Sequence, residues 1–205
     1  MSTPTQPSDG SILAEVLDGK RDQFAEIVER YQTRLLRVAT SRLGDATLAE
    51  DVVQETFLCA FKSLASYDSK YSFRTWLWTI LLNQCRRAYG RRQRTPKVNM
   101  WSDGVDGVEE DQVKADVESG ESTPAMILLA KEESQRIEQL LAELPDREAD
   151  ALRLRFFGGL KFQEIADTMQ CSLSTAKNRV RWGLTKMSQR LIGEIDITQF
   201  STNHK

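Results

Sequence analysis

Apolar residues recur at steps of three and four along most of this chain, which is the spacing of one face of an α-helix. The first such run extends from Phe24 to Leu43, and Gly44 ends it. A second run begins near Asp45 and continues to Leu64, and a third extends from about Phe73 to Arg92. No segment before residue 95 alternates apolar and polar residues with period two. The pattern therefore predicts an N-terminal helical domain without a sheet.

Helical spacing resumes at Ala125 and is broken at Pro145 and again at Gly158 and Gly159. Two further helices are predicted, a short one over 162–169 and a longer one from about 174 to 192, with a turn between them. The second half of the chain is therefore predicted to hold four helices. The predicted fold class is all-α, with two small helical domains.

The segment between the two halves has little apolar periodicity and is strongly acidic. Residues 103–121 contain eight acids and one base, Lys114. We therefore predict a flexible acidic linker. The predicted boundaries are a partly disordered tail and helix start over 1–21, a first domain over 22–95, the linker over 96–124, a second domain over 125–193, and a C-terminal tail over 194–205.

Charge is segregated along the chain, although the net charge of the 205 residues is only −2. Residues 86–97 contain six bases and no acid, and residues 174–190 contain five bases and no acid. Each basic stretch follows an apolar helical pattern. The sequence therefore predicts two local cationic surfaces that suit phosphate groups, separated by the acidic linker.

Several kinds of chemistry are disfavoured by composition. The single histidine is His204, and Cys59, Cys85 and Cys171 are far apart and lie within apolar patterns, so we expect buried thiols, no metal site and no cofactor. The longest apolar run, over 76–82, is shorter than the roughly 20 residues of a membrane span. The polar N-terminus does not resemble a signal peptide. We expect a cytoplasmic protein that does not insert into a membrane, and the lone histidine disfavours histidine-based catalysis.

The last two predicted helices have the layout of a helix-turn-helix, in which the second helix enters the major groove of DNA. The residues that would pack the pair together are Ile165, Ala166, Met169, Cys171, Ala176 and Val180. The residues that would face DNA are polar or basic: Ser172, Ser174, Thr175, Lys177, Asn178, Arg179 and Arg181.

The first domain contains a second candidate nucleic-acid surface. Trp76 and Trp78 lie about 200° apart around a helix, so at most one of them can lie fully in the core. An exposed aromatic ring beside the loop 67–71, with arginines a few turns further on, is typical of single-stranded DNA binding, in which bases stack on the ring. The alternative is that both tryptophans pack a small core from two sides.

Four segments together resemble bacterial RNA polymerase sigma factors of the extracytoplasmic-function (ECF) type. They are "AEDVVQETFLCAFKSL", "FRTWLWTILLNQCRR", "LPDREADALRLRFFGGLKFQEIADTM" and "STAKNRVRWGLTKMSQRL". The resemblance implies an alternative sigma factor that directs core polymerase to a restricted set of promoters and is not itself an enzyme. It also implies the clamp helices of the largest polymerase subunit, the flap of the second-largest, promoter DNA and an anti-sigma factor as partners.

The resemblance also implies roles for particular residues. The set implied to bind core polymerase is Asp51, Gln54, Glu55 and Leu58. The set implied to bind and open the minus-ten element is Tyr67, Lys70, Tyr71, Phe73, Arg74, Trp76, Trp78, Asn83, Arg86 and Arg87. The helix-turn-helix residues named above correspond to the part that recognises the minus-thirty-five element.

The chain departs from the family pattern within and after the turn of the helix-turn-helix. Gln170 stands where the family usually has Gly, Ala176 where it usually has Val, and Trp182 and Gly183 where it has smaller or charged residues. A non-glycine residue in a left-handed turn costs about 1 kcal/mol, so we expect a slightly remodelled turn.

Two other functions are consistent with parts of the pattern. An autonomous helix-turn-helix repressor or activator would bind duplex DNA without polymerase, usually as a dimer. An enzyme acting on nucleic acid would need carboxylates or a metal near a basic groove, whereas the acids here lie in the linker and on one helix face.

Overall fold

A computed structural model describes residues 7–68, 70–94 and 124–202, and every regular element within them is helical. The N-terminal unit contains α1 (Asp9–Leu17), α2 (Phe24–Leu43), α3 (Ala46–Lys62) and α4 (Phe73–Arg94), with short 3-10 turns at Arg21–Gln23 and Leu64–Ser66. The C-terminal unit contains α5 (Pro124–Ala142), α6 (Asp146–Leu152), a π turn at Arg153–Phe157, α7 (Phe162–Thr168) and α8 (Leu173–Thr202). The all-helical fold predicted from the sequence is confirmed.

Helices α2, α3 and α4 form the core of the N-terminal unit. Gly44 ends α2 with a φ of 65°, and the Asp45 carboxylate then accepts a hydrogen bond from the Leu48 backbone N–H at 3.0 Å to begin α3. The apolar faces of the three helices meet around side chains such as Ile27, Leu35 and Leu77, which are fully buried. This short connection therefore holds α2 and α3 side by side.

Helix α1 lies within residues 1–21, which were predicted to be a partly disordered tail and helix start outside the first domain. Its apolar residues Ile12, Leu13 and Val16 are buried in the same core as α2 and α3. At its first residue, the Asp9 carboxylate accepts hydrogen bonds from the Arg30 guanidinium and the Tyr31 hydroxyl. Burial and this carboxylate both raise the pKa of Tyr31. The phenol therefore stays protonated and joins α1 to α2.

In the C-terminal unit, two glycines connect the π turn to α7. Gly159 has a φ of 65°, which favours glycine. A Cβ built on Gly158 would lie 2.8 Å from the Leu154 carbonyl oxygen, so only glycine fits there without a shift. The single helix expected over 146–157 is therefore an α-helix that widens into a π turn before these glycines.

The turn between α7 and α8 keeps a left-handed residue, so the prediction that it would be remodelled is wrong. Gln170 has a φ of 51° and is the one non-glycine residue with positive φ in the described parts of the chain. The Cys171 N–H donates to the Ala166 carbonyl at 2.9 Å, which closes the turn. Gln170 thus occupies the conformation that glycine adopts at lower cost.

Replacing Gln170 with glycine is expected to stabilise the C-terminal unit. The substitution removes a left-handed strain of about 1 kcal/mol, partly offset by the greater freedom of glycine in the unfolded chain, so we expect a net gain of roughly 0.5 kcal/mol. Urea unfolding followed by circular dichroism measures it. Gln170→Ala, which keeps the strain, is the matched control; equal stability of the two variants would contradict this account.

Helix α8 continues beyond the predicted end near residue 192, through the segment predicted to be a tail. Gly193 does not end it, since one glycine inside a helix costs only about 1 kcal/mol. The predicted linker lies almost wholly in 95–123, outside the described residues. None of the helices in the described ranges is long and apolar enough to cross a membrane.

Candidate polymerase and nucleic-acid interfaces

The predicted polymerase-binding residues lie on the outer face of α3. Asp51, Gln54, Glu55 and Leu58 are all exposed, and 44% of the Leu58 surface is accessible. Asp51, Gln54 and Leu58 line a groove of about 600 Å³ between α2 and α3, whereas Glu55 lies beside it. An apolar floor with a carboxylate at its rim suits a helix whose surface is apolar and basic.

The opposite wall of this groove comes from α2 and was not predicted. Val28, Gln32 and Leu36 line it, and Phe57 and Phe61 contribute to its floor. The signal for the α2 wall was present, because Val28 and Leu36 lie at one edge of the apolar stripe. Only the pairing of α2 with α3, which sequence periodicity does not give, shows that these residues face the same space.

The predicted minus-ten residues on α4 divide between two faces of that helix. Trp76, Asn83 and Arg87 follow one another at steps of seven and four, so they lie along one stripe. Asn83, Arg86 and Arg87 are exposed, and the Asn83 side-chain oxygen accepts a hydrogen bond from Arg86 at 2.8 Å. The stripe places an aromatic ring, an amide and the Arg87 guanidinium in a row, with Arg86 beside it, and this combination suits single-stranded DNA.

The aromatic residues before α4 form a cluster that shapes the neighbouring loop. The ring centroids of Tyr67 and Trp76 are 5.1 Å apart, and Phe73 lies 5.7 Å from each of them. The Tyr67 hydroxyl donates to the Tyr71 carbonyl, while the Tyr71 ring is 70% exposed and Lys70 is exposed. Phe73 is buried, so it supports the loop and does not face solvent.

Trp78 and Arg74 lie on the opposite face of α4, against the C-terminal unit. Trp78 is fully buried, which confirms that only one of the two tryptophans lies wholly in the core. A Cβ on Gly158 would lie 3.1 Å from its ring, and its indole nitrogen finds no hydrogen-bond partner among the described residues. Trp78 is therefore inaccessible to a base in this arrangement, contrary to its assignment to the minus-ten set.

Arg74 of α4 also binds the C-terminal unit. Its guanidinium donates to the carbonyl oxygens of Gly158 at 3.0 Å and Gly159 at 2.8 Å, and its Nε lies 3.7 Å from the Glu164 carboxylate. Glu164 also accepts a hydrogen bond from the Lys161 backbone N–H at 2.7 Å, which stabilises the start of α7. One residue that was predicted to bind the minus-ten element is thus held by the C-terminal unit, which carries the helix-turn-helix.

A second ionic contact joins α2 to the C-terminal unit. The Asp150 carboxylate pairs with Arg42, and the same oxygen lies 3.6 Å from Arg153 of its own unit. Arg153 donates to the Ser41 hydroxyl at 2.9 Å, and Ser41 donates to Glu138 at 2.6 Å. Burial lowers the pKa of both arginines, although arginine stays charged in proteins. Asp150 therefore compensates two largely buried cations.

Burial also determines the protonation state of Cys85, which lies near Arg42 and Arg153. Burial raises the pKa of the Cys85 thiol to about 11, against the lowering effect of Arg42 and Arg153. All three cysteines are free; Cys85 is buried as expected, whereas Cys59 and Cys171 are only half-buried. The thiol of Cys85 is therefore protonated and packs as an apolar group.

The predicted minus-thirty-five residues surround the start of α8. The Ser172 hydroxyl accepts a hydrogen bond from the Thr175 backbone N–H at 3.1 Å and so caps the helix. Ser174, Lys177, Asn178 and Arg181 are exposed on α8. Arg179 is half-buried and donates to the Met169 sulfur at 3.9 Å, so it lies at the edge of this surface.

The buried face of α8 rests closely on α6 and α7. Ala176 and Val180 are buried beside Ile165 and Ala166, as predicted. A Cβ on Gly183 would lie 2.7 Å from the Leu152 side chain, so the glycine allows α8 to approach α6. Close packing against α6 therefore explains why Gly183 departs from the family pattern. The same packing determines which face of α8 is exposed.

Two helical units, each with an exposed basic surface and one with an additional groove, define a two-part DNA-binding protein. Comparison with known families agrees: the model of sigma-70 region 2 matches residues 27–95, and that of sigma-70 region 4 matches residues 134–187. RNA polymerase sigma-H factor of Pseudomonas aeruginosa is 30% identical over 194 residues, which cover 93% of this chain and 98% of that protein.

Two further comparisons concern ECF sigma factors and the fold. ECF RNA polymerase sigma factor SigW of Bacillus subtilis is 27% identical over 180 residues, covering 87% of this chain and 94% of that protein. A solved structure of the sigma factor RpoE with the anti-sigma factor NepR from Bartonella quintana has the same fold, with a TM-score of 0.62 and 23% identity over 83% of this chain and 97% of that chain.

The chain belongs to the RNA polymerase sigma factors of the ECF type. The predicted resemblance is thereby confirmed. Sigma factors are non-enzymatic initiation factors, so the prediction that the protein is not an enzyme is confirmed by the family as well. As a sigma factor, the protein binds core RNA polymerase and directs initiation at specific promoters.

Proposed function

We propose that the protein directs polymerase to its promoters through three separate surfaces. The groove between α2 and α3 binds core polymerase, the exposed stripe of α4 binds the minus-ten element, and the exposed face of α8 binds the minus-thirty-five element. The observation that supports this division most directly is the α8 surface, where Lys177, Asn178 and Arg181 are exposed beside a hydroxyl-capped helix start.

The minus-thirty-five element is recognised as duplex DNA. The start of α8 enters the major groove, where Ser174 and Thr175 lie close enough to contact base edges. Lys177 and Arg181 supply positive charge for guanine or phosphate oxygens, and Asn178 suits adenine, whose edge offers one donor and one acceptor. Arg179 flanks this contact from its half-buried position.

The minus-ten element is opened by binding of unstacked bases. The Trp76 ring and the exposed Tyr71 ring offer stacking surfaces, while Arg86 and Arg87 follow the backbone. Lys70 and Asn83 supply further polar contacts from the loop and from α4. Because the protein binds single strands better than the duplex, binding shifts the promoter towards the open state without covalent chemistry.

Core polymerase and an anti-sigma factor complete the proposed set of partners. The clamp helices of the largest polymerase subunit occupy the groove of Asp51, Gln54 and Leu58, with Glu55 beside it, and the C-terminal unit contacts the flap of the second-largest subunit. The sigma factor RpoE was solved with an anti-sigma factor, which supports a regulator of this kind here. We propose that the protein acts in the cytoplasm, where it would meet core polymerase and DNA.

Transcription in vitro with purified core polymerase and genomic templates tests the proposed function. We expect the protein to co-purify with core enzyme and to start transcripts at a restricted set of sites. If the protein neither co-purifies with core enzyme nor starts transcripts, the proposal is contradicted. Tight duplex binding by the free protein as a dimer, with no need for polymerase, would instead favour a repressor or activator.

Substitution of the α8 cations separates promoter binding from core binding. We expect Lys177→Ala and Arg181→Ala each to weaken promoter binding by roughly ten-fold or more, since a good base contact contributes about 1–3 kcal/mol. Core binding, measured by gel filtration, should be unchanged. Lys20→Ala, which removes an exposed cation near α1, is the control. Equal loss of core binding would exclude this division of roles.

A further inference from the structure

Trp182 is a large aromatic side chain on the exposed face of α8, and the proposed function assigns it no role. It is 56% exposed. It follows Asn178 by four residues and Thr175 by seven, so all three lie on one face of the helix. The buried residues Ala176 and Val180 point to the other side. Trp182 therefore continues the row of Thr175 and Asn178 by one turn and lies next to Arg181 on the proposed DNA surface.

The charges around Trp182 favour an anionic partner over a protein patch. Arg181 is adjacent in sequence, and Lys186 follows within one turn on the same side. Residues 174–190 contain five bases and no acid. The exposed apolar residue nearest in sequence, Leu184, is 45% exposed but lies about 160° away around the helix. An exposed aromatic ring on a helix whose own charges here are all basic suits a phosphate-bearing surface.

The distance along α8 indicates which part of DNA the ring reaches. Trp182 lies eight residues beyond Ser174, which is about 12 Å along the helix axis. The first residues of a recognition helix reach base edges, and the major groove is about 12 Å wide. A side chain two turns further along therefore lies at the wall of the groove, which consists of sugar and phosphate.

We propose that Trp182 contacts the deoxyribose–phosphate backbone of promoter DNA at the edge of the groove that α8 occupies. The ring packs on a deoxyribose, and the indole N–H donates to a phosphate oxygen. This inference rests on the proposed function of α8. The contact positions the helix and has no base preference of its own, because phosphate and sugar contacts fix register and not sequence.

The test measures the affinity of reconstituted holoenzyme for a promoter duplex at which it initiates, over a series of salt concentrations. We expect Trp182→Ala to weaken binding roughly ten-fold at fixed salt, as loss of an aromatic anchor does. The slope of log affinity against log salt should not change, since an indole releases no counterion. Lys177→Ala should lower that slope by roughly 0.9 if Lys177 neutralises one phosphate.

Two further variants define the contact. Trp182→Phe keeps a ring but removes the N–H, so it should lose less affinity than Trp182→Ala. Replacing single phosphates by neutral methylphosphonates should identify one position that weakens wild-type binding but not Trp182→Phe binding. Leu184→Ala removes a similarly exposed apolar side chain from the other side of α8, and it should bind promoter DNA as the wild type does.

Other outcomes overturn the inference. If Trp182→Ala binds promoter DNA as the wild type does while Lys177→Ala and Arg181→Ala do not, the contact is absent and the proposed function stands. If none of the three variants loses affinity, the assignment of α8 to DNA fails, and the inference fails with it. If Trp182→Ala weakens core binding instead, the ring contacts polymerase.

Discussion

Charge reversal on the outer face of α3, as Asp51→Lys with Glu55→Lys, is expected to weaken core polymerase binding on the order of 100-fold. Asp51 lies at the rim of the groove between α2 and α3, and Glu55 is exposed beside it. A basic partner helix that is attracted by two carboxylates would be repelled by two ammonium groups, and like charges at an interface cost several kcal/mol. Gel filtration and a competition assay with wild-type protein measure the loss.

The fold should survive this change, because both side chains are exposed and such substitutions usually alter stability by less than about 0.5 kcal/mol. Asp22→Lys with Glu29→Lys makes the same change in net charge on residues that do not line the groove, and it should bind core normally. Equal weakening by both pairs would mean that overall charge, and not this groove, governs binding.

A related substitution separates the apolar floor from the charged rim. Leu58 is 44% exposed and lines the groove between α2 and α3. Leu58→Ala should weaken core binding less than charge reversal does, since it removes contact area without introducing repulsion. A larger loss than that of Asp51→Lys with Glu55→Lys would make apolar burial the main source of affinity.

The helices of this protein were predictable because each has an apolar stripe and a clear end. Gly44 and Asp45 end one helix and cap the next, and both act in the structure as local chemistry predicts. The position of the turn before α8 was also predictable. Its conformation was not, because a left-handed Gln170 is strained locally and depends on contacts of the whole turn, such as the hydrogen bond from the Cys171 N–H to the Ala166 carbonyl.

Sites that depend on one helix were easier to predict than sites that depend on two. The exposed face of α8 follows from periodicity alone, because Ala176 and Val180 fix the buried side. The residues of α4 that are accessible to the minus-ten element could not be predicted from periodicity in the same way. Periodicity placed Trp76 and Trp78 on different faces but could not show which face the C-terminal unit covers, since that depends on contacts between residues far apart in sequence.

Asp150→Ala is expected to separate the two helical units of the free protein. The Arg42 and Arg153 side chains are only 11% and 7% exposed, and the substitution leaves both without the carboxylate between them. Removing one partner of a buried ion pair costs about 3–5 kcal/mol. Separation returns Arg42 to water, so we expect a larger radius of gyration by small-angle X-ray scattering.

Two variants distinguish separation from unfolding of the C-terminal unit. Arg42→Ala removes the ion pair between α2 and the C-terminal unit, so it should enlarge the radius of gyration. It leaves Asp150 paired with Arg153 inside that unit, so the helical circular dichroism signal should be kept. Asp167→Ala removes an exposed carboxylate of α7 whose hydrogen-bond partner among the described residues is Gln163 of the same helix, and it should leave the two units in contact. Loss of helical signal in Arg42→Ala would mean that the contact is required for folding.

Trp78 reports directly on the covered face of α4. Trp78 is fully buried against Gly158 while the two units are in contact. If Arg42→Ala separates the units, acrylamide should quench the fluorescence of Trp78 in this variant but not in the wild type. Adding Trp78→Phe should abolish the difference. The same separation would release Arg74 from the carbonyls of Gly158 and Gly159, and only then could Arg74 contact DNA. Unchanged quenching in a variant with a larger radius of gyration would mean that Trp78 belongs to the core of its own unit.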